Sequence, residues 1–266
     1  MGGSNMKYFI FSDVHGFLGL LMDELSKAGF DENNINHMLI SLGDNFDRGE
    51  ENYEMFLFLK KMKKKHKIIL IKGNHEDLLM DAIKRQNITY VDVANGTYGT
   101  IEEFSQVFFG ENGREMFFDG FPEFYNKFTE VGLLDLISDM ADYYETNHYI
   151  FTHGFIPVDY GAGYSYKDNW RESSKDEFKR SRWINGMDMS MNHHIKEKDK
   201  KIVVGHFHTS YGNVRNKYGL SLSLAEYQKL EFSDLGMFSI YEDDNVIAID
   251  ACTAFTKKIN VLVIED

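Results

Sequence analysis

Short apolar runs alternate with longer stretches of helical periodicity through the first third of the chain. Lys7-Tyr8-Phe9-Ile10-Phe11-Ser12, Met38-Leu39-Ile40-Ser41-Leu42 and Lys67 to Ile71 are too short for helices and are apolar at most positions. That pattern predicts strands covered on both faces. Between them, Phe17 to Ala28 places Leu18, Leu21 and Leu25 at helical spacing and stops near Gly29. Glu50 to Lys65 is amphipathic, with acids at its start and lysines at its end, which suits the helix dipole. Glu76 to Arg85 predicts a third helix. The β-α-β-α-β-α order predicts an α/β fold with a parallel sheet and right-handed crossovers.

The pattern changes over about 96–145, where phenylalanine and acidic residues dominate. This stretch predicts an insertion of several short helices with a turn at Gly120–Pro122, packed near the mouth of a site within one domain. Tyr149-Ile150-Phe151-Thr152 and Lys201 to Val204 return to the strand pattern. Asp159 to Asn192, rich in Gly, Trp, Tyr and Arg, reads as a substrate-facing loop and helix. In the tail, Met237–Tyr241, Val246–Asp250 and Ile259–Ile264 predict short strands forming an antiparallel part of a second sheet. Met1-Gly2-Gly3-Ser4-Asn5 reads as a cloning remnant ahead of a native start at Met6, leaving residues 6–266 as a single domain.

Polar clusters sit at the ends of the apolar runs. They are Asp13-Val14-His15, Gly43-Asp44-Asn45-Phe46-Asp47-Arg48-Gly49, Gly73-Asn74-His75-Glu76, His153-Gly154 and Gly205-His206-Phe207-His208. Asp13 to Asp44 is 31 residues and Asp44 to Asn74 is 30, about one strand–helix–strand unit each. Such repeats align successive strand ends, where open α/β sheets place their ligands. The clusters offer carboxylate, imidazole and amide oxygen but no thiolate, a donor set for two neighbouring divalent ions rather than a structural zinc. If the chain runs extended, Asp13 and His15 point to one side, as do His206 and His208. Asp44 is the natural bridging carboxylate, because two close cations need an anion between them.

Charge and cysteine content narrow the setting. The 266 residues carry a formal charge of −13, which opposes binding to a nucleic acid polymer or an anionic membrane. An anionic substrate stays compatible, because bound cations would be the largest local charges in the site. No apolar stretch approaches the ~20 residues of a spanning helix. The lone Cys252 fits a reducing cytoplasm.

Taken together, Asp13-x-His15, Gly43-Asp44-x-x-Asp47-Arg48-Gly49, Gly73-Asn74-His75-Glu76, His153-Gly154 and Gly205-His206-x-His208 resemble the calcineurin-like metallophosphoesterase superfamily. The Asp-Arg-Gly and Asn-His-Glu variants look most like its bacterial serine/threonine phosphoprotein phosphatases and diadenosine tetraphosphatases. The resemblance implies a four-layer α/β/β/α sandwich around a dinuclear centre. Asp13, His15, Asp44 and His208 would hold one ion, and Asp44, Asn74, His153 and His206 the other. It further implies attack by a metal-bridging hydroxide, His75 as general acid oriented by Asp47, and Arg48 gripping the phosphate. The protein-phosphatase branch usually shows a single His in the last motif, so the His206-x-His208 pair leaves the substrate open.

The expected activity is therefore hydrolysis of phosphate monoesters, with protein phosphoserine and phosphothreonine as the leading substrate class. Cleavage of diadenosine tetraphosphate or another nucleotide is the alternative, and a non-catalytic metal-binding interaction module is the alternative of another class. Manganese leads the candidate ions, with iron, zinc and nickel also compatible; the sequence leaves the oligomeric state open. Within Lys179-Arg180-Ser181-Arg182-Trp183, Arg182 is the candidate second phosphate contact, set against a plain solvated helix face. Glu76 reads as a helix-start acid or a partner of the ligands, and His37, His66, His148, His193 and His194 as surface or packing residues.

Overall fold

Alternate residues of each apolar run face different layers, and this splits the core in two directions. The computed structural model describes residues 6–110, 121–219 and 221–266. In β1 (Lys7–Phe11), Phe9 and Phe11 pack against helices, whereas Tyr8 and Ile10 face a second sheet. Leu39 and Ile40 divide in the same way in β2 (His37–Ser41), as do Leu70 and the half-buried Ile69 in β3 (Ile68–Leu70). Phe151, Val203 and Ile247 answer from the opposite sheet, and Ile150, Ile202 and Val246 point away into its own helical cover. A strand buried on both faces has no polar side to show, which is why the runs read as continuously apolar. The result is a mixed α/β fold of four layers, helix on sheet on sheet on helix.

The first sheet has the order β11-β1-β2-β3, with β11 spanning Leu262–Glu265. β1, β2 and β3 are parallel, with Lys7 opposite His37 and Leu39 opposite Ile68, while β11 runs antiparallel to β1. The connections are α1 (Leu18–Ala28) and α2 (Asn52–Lys64), and β3 feeds α3 (Asn74–Arg85). The second sheet places Tyr143–Glu145 (β4) beside Tyr149–Thr152 (β5), Lys201–Val204 (β8), Val246–Ala248 (β10) and Tyr241–Glu242 (β9). β5, β8 and β10 are parallel and the two edges antiparallel, and a separate hairpin pairs Val158–Tyr160 (β6) with Tyr164–Tyr166 (β7). Parallel strands bring their C-terminal ends to one edge, and each of the six ends delivers a polar residue there.

Among the described residues of the stretch about 96–145, helices span Thr97–Phe109, Phe121–Val131 and Leu133–Ser138, preceded by a short helix at Tyr90–Asn95, and the stretch ends on β4 rather than on a helix. Phe104, Phe124 and Phe128 join the same core as Met55 and Phe56 of α2, with Phe124 edge-on to Phe128 at 4.5 Å. The expected turn at Gly120 and the five leading residues lie outside the described residues.

Three expectations change. The tail is not one antiparallel block: β10 is parallel to β8, and the last strand returns to the first sheet. Met237 and Phe238 lie in a 3-10 turn, because Asp234 accepts from the Gly236 amide and turns the chain before a strand can start. Asp159–Asn192 mainly covers the second sheet: Phe178, Met187 and Met189 enter its core. Among the described residues no helix is long and apolar enough to cross a membrane.

Candidate metal centre

The polar residues after the six parallel strands meet because their loops are bonded to one another. Asp13 N–H donates to Gly43 O at 3.1 Å, His15 N–H to Asp44 O at 3.0 Å, and Gly205 N–H to His153 O at 2.7 Å. Asp13, His15, Asp44, Asp47, Arg48 and His206 all have positive φ, between 51° and 76°. Non-glycine residues hold that conformation only where surrounding contacts over-determine it, a strain that gathers at functional sites. Gly43, at φ 103°, has the Gly73 backbone where a β-carbon would stand. At Gly205 the same space is taken by Ser12 Oγ and the Asp13 carboxylate.

The positive φ values also overturn the expected extended course. Asp13, His15 and His206 each turn the chain, so these turns rather than an extended two-residue repeat bring Asp13 and His15, and His206 and His208, to one cavity. Asp13 Oδ2 accepts the His206 amide at 3.0 Å. His208 directs Nδ1 toward Glu231 Oε1 at 3.8 Å. Burial opposes its charge, but hydrogen bonds to Cys252 and Glu231 push its pKa up to about 11.

Asp44 lies at the centre. Two donor groups share it, His15–Asp44–His75 and Asp44–His153–His206, each with its ligand atoms within 4.8 Å of one another. A cavity of about 100 Å³ is lined by Asp13, His15, Asp44, Asn74, His75, Arg48, His206 and His208, so most of the expected site residues are brought together. Arg182 is not among them. Its guanidinium is buried between Asp77 and Asp142, tying α3 to the second sheet, and has no phosphate-facing position.

Hydrogen bonds on the far ring nitrogens aim the imidazoles. His15 Nδ1 donates to Phe46 O and His153 Nδ1 to Leu42 O, each at 2.9 Å, which leaves each Nε2 lone pair facing inward. His153 Nε2 then stands 2.8 Å from Asn74 Oδ1 and 3.3 Å from Asp44 Oδ1. Lone pairs converging this closely are relieved by a cation or a proton between them. Burial opposes a charge on His153, but Asp44 overrides it and raises the pKa to about 9. Burial holds His15 well below the ordinary histidine range, and burial with His153 lowers His206 to about 3. Asp13 is pushed up to about 8 by burial and by the neighbouring Asp250. Burial opposes a charge on Asp44, but His153 and His75 hold its carboxylate well below the usual range; with the raised Asp13 and the lowered His15 and His206 it forms a set of donors that fits divalent cations.

His75, Asp47 and Arg48 form a connected group on one side. His75 Nδ1 is 2.7 Å from Asp47 Oδ2, and Thr97 and Thr100 hydroxyls donate to the two Asp47 oxygens at 2.7 Å each. Asp47 therefore does not cap α2. Arg48 reaches His15 Nε2 at 3.1 Å and His75 Nε2 at 3.2 Å rather than pairing with Glu50 or Glu51.

Glu76, read as a helix-start acid or a partner of the ligands, is both, and several other residues escaped the sequence reading. Glu76 is fully buried, and its carboxylate accepts from the amides of Gly73, Asp44 and Asn45 at 2.8 to 2.9 Å, locking two ligand loops together. Asp250 follows β10 as the other polar residues follow their strands, a signal that was present in the sequence. Thr97, Thr100 and Asn95 had none, because they arrive from helices and loops without a motif, whereas Trp183 belongs to the basic and aromatic group already read as a candidate substrate contact.

Residues 6–242 match the calcineurin-like phosphoesterase family model. Serine/threonine-protein phosphatase 2 of Salmonella typhimurium is 37% identical over 92 residues, covering 34% of this chain and 38% of that protein. The match thus spans little more than a third of that relative's length. Among solved structures, a cold-active protein-tyrosine phosphatase of a psychrophilic Shewanella covers 99% of this chain and 76% of its own, with TM-score 0.51 and 17% identity. A candidate diadenosine tetraphosphatase covers 99% and 98%, with TM-score 0.50 and 11% identity. At these identities the two structures speak to the fold.

Proposed function

Since the chain belongs to the calcineurin-like phosphoesterase family, we propose that it is a metal-dependent phosphoesterase that hydrolyses phosphate monoesters at two divalent cations. The observation that carries this reading is the sharing of Asp44 by two donor groups. Asp13, His15 and Asp44 would hold one cation, and Asp44, Asn74, His153 and His206 the other. The contact of His208 with Glu231 supports a place beside the centre for that imidazole. Bound there, the cations would make water a nucleophile near neutral pH and offset charge on the phosphoryl oxygens during in-line displacement. Manganese suits the carboxylate, amide and imidazole donors, as do iron, zinc and nickel.

The remaining work falls to side chains. Arg48 bridges two imidazole Nε2 atoms in the substrate-free arrangement; a phosphate offers its planar fork a stronger, bidentate partner. Arg48 can only donate, so it faces the Nε2 lone pair of His75 and lowers its pKa; on its departure Nε2 takes up a proton from solvent, and that proton then goes to the leaving alkoxide. Burial works against a charged His75, but Asp44 and Asp47 outweigh it and raise the pKa, so the acid form persists to higher pH. Asp47 holds the ring through Nδ1 and is itself held by two threonines.

The 92-residue similarity supports phosphoserine and phosphothreonine as the first substrate class. A nucleotide is the second reading, favoured by an aromatic cavity continuous with the centre. The single cysteine supports a cytoplasmic setting. Chelation of the purified protein should abolish p-nitrophenyl phosphate turnover, and Mn²⁺ should restore it. Full activity after complete metal removal would refute the proposal.

A further inference from the structure

The Thr97–Phe109 helix holds the Asp47-Arg48 loop by more than its two threonines. Thr97, Thr100 and Glu103 stand three residues apart along one ridge of that helix, and all three reach the segment from Asp47 to Tyr53. Glu103 Oε1 accepts the Tyr53 amide and Glu103 Oε2 accepts Asn52 Nδ2, each at 2.7 Å. The first contact serves the open amide end of α2, where Glu51 supplies no side-chain cap. The second leads toward the metal centre.

Asn52 is fully buried and uses its amide in three directions. Its Oδ1 accepts the Asp47 amide at 2.8 Å, and its Nδ2 donates to Gly49 O at 2.8 Å as well as to Glu103. Gly49 O and Glu103 can only accept from it, so they turn the Nδ2 group toward themselves and leave Oδ1 facing the Asp47 N–H. Asp47 and Arg48, at φ 76° and 68°, form the turn that these bonds enclose. Residues other than glycine leave that conformation unless they are held. The Arg48 backbone also lies against Gly96, where a β-carbon would stand 2.6 Å from Arg48 N. Arg48 lines the metal cavity, whereas Asn52 and Glu103 are not among the described residues that do.

We propose that Glu103 is a positioning residue for phosphate binding. Through Asn52 it keeps the Asp47-Arg48 turn left-handed and so aims the Arg48 guanidinium at the metal centre. The direction of an arginine stem is set by the backbone it leaves, and a turn relaxed to ordinary dihedrals sends it elsewhere. A bidentate grip tolerates little misdirection, because both N–H bonds must be made at once. The helical insertion thereby acts on a substrate that Glu103 does not touch. The inference rests on the reading of Arg48 as the phosphate contact, but not on turnover.

Isothermal titration of inorganic phosphate into the Mn²⁺-loaded protein tests it, in a double-mutant cycle of Glu103→Ala and Arg48→Ala. Each single variant should bind phosphate at least about tenfold more weakly than wild type. The double variant should stay within about threefold of Arg48→Ala, since the effect of Glu103 passes through Arg48. Wild-type affinity in Glu103→Ala would overturn the inference. So would a second tenfold loss when Glu103→Ala is added to Arg48→Ala, the mark of a merely structural role. Should Glu103→Ala fail to fold, Asn52→Asp enters the same cycle with the same thresholds; it keeps the acceptor for the Asp47 amide but has no donor for Gly49 or Glu103. Wild-type affinity in Arg48→Ala would refute the phosphate role of Arg48 together with this inference. A loss in Arg48→Ala with none in Glu103→Ala would refute the inference alone. Turnover of p-nitrophenyl phosphate by the same preparations reports on hydrolysis separately.

Discussion

Asp47 Oδ2 lies 2.7 Å from Nδ1 of His75, with both side chains shut off from solvent. Two threonine hydroxyls complete the Asp47 carboxylate, so its remaining function is to orient and charge the imidazole. In Asp47→Asn, kcat should fall on the order of 10²-fold, the lower range for loss of a positioned acid. The sign of the pH effect follows from the cause: Asp47 raises the His75 pKa, so its removal lowers it. The alkaline limb of the kcat/KM profile should then move to lower pH. A limb that stays in place would remove His75 from the role of acid.

Glu76 makes a different prediction, because its contacts are with the loops rather than with substrate. Glu76→Gln replaces one acceptor oxygen with a donor facing backbone amides. The expected cost is about 1–3 kcal/mol of stability, with metal affinity reduced roughly 10- to 100-fold as for other supports of ligands. Thermal melts and competitive metal titration measure the two effects. Unaltered metal affinity would contradict the locking role.

Arg182 joins Asp77 and Asp142 from beneath the site. Arg182→Met should destabilise the protein by about 3 kcal/mol, because it leaves two partly buried carboxylates without their cation. Denaturant melts read the loss, and Asp77→Asn in the same chain should recover part of it. A rise in KM with no change in stability would return Arg182 to the phosphate.

Much of this arrangement was legible in the sequence because strand ends are fixed by topology. Asp13, Asp44, Asn74, His153 and His206 each follow an apolar run of a parallel sheet, so the edge they reach is set before any side chain packs. The course of the chain beyond those ends was not legible. Left-handed backbone at His15 and His206 is imposed by loop-to-loop hydrogen bonds, and it sends His208 toward Glu231. The partners of Arg182 were hidden for a related reason: a basic helix end looks the same in sequence whether it meets a phosphate or two aspartates distant in the chain. The tail divided between sheets because the pairing of β11 with β1 is a long-range choice that leaves no local signature.

If Asp44 joins two cation sites used for phosphate ester hydrolysis, its neutralisation is felt at both. The most direct test compares p-nitrophenyl phosphate turnover by Mn²⁺-reconstituted wild type and Asp44→Asn. A loss of at least about 10²-fold in kcat is expected, since one neutralised bridge weakens both sites and the activation of water they would support. A loss of less than tenfold would contradict it.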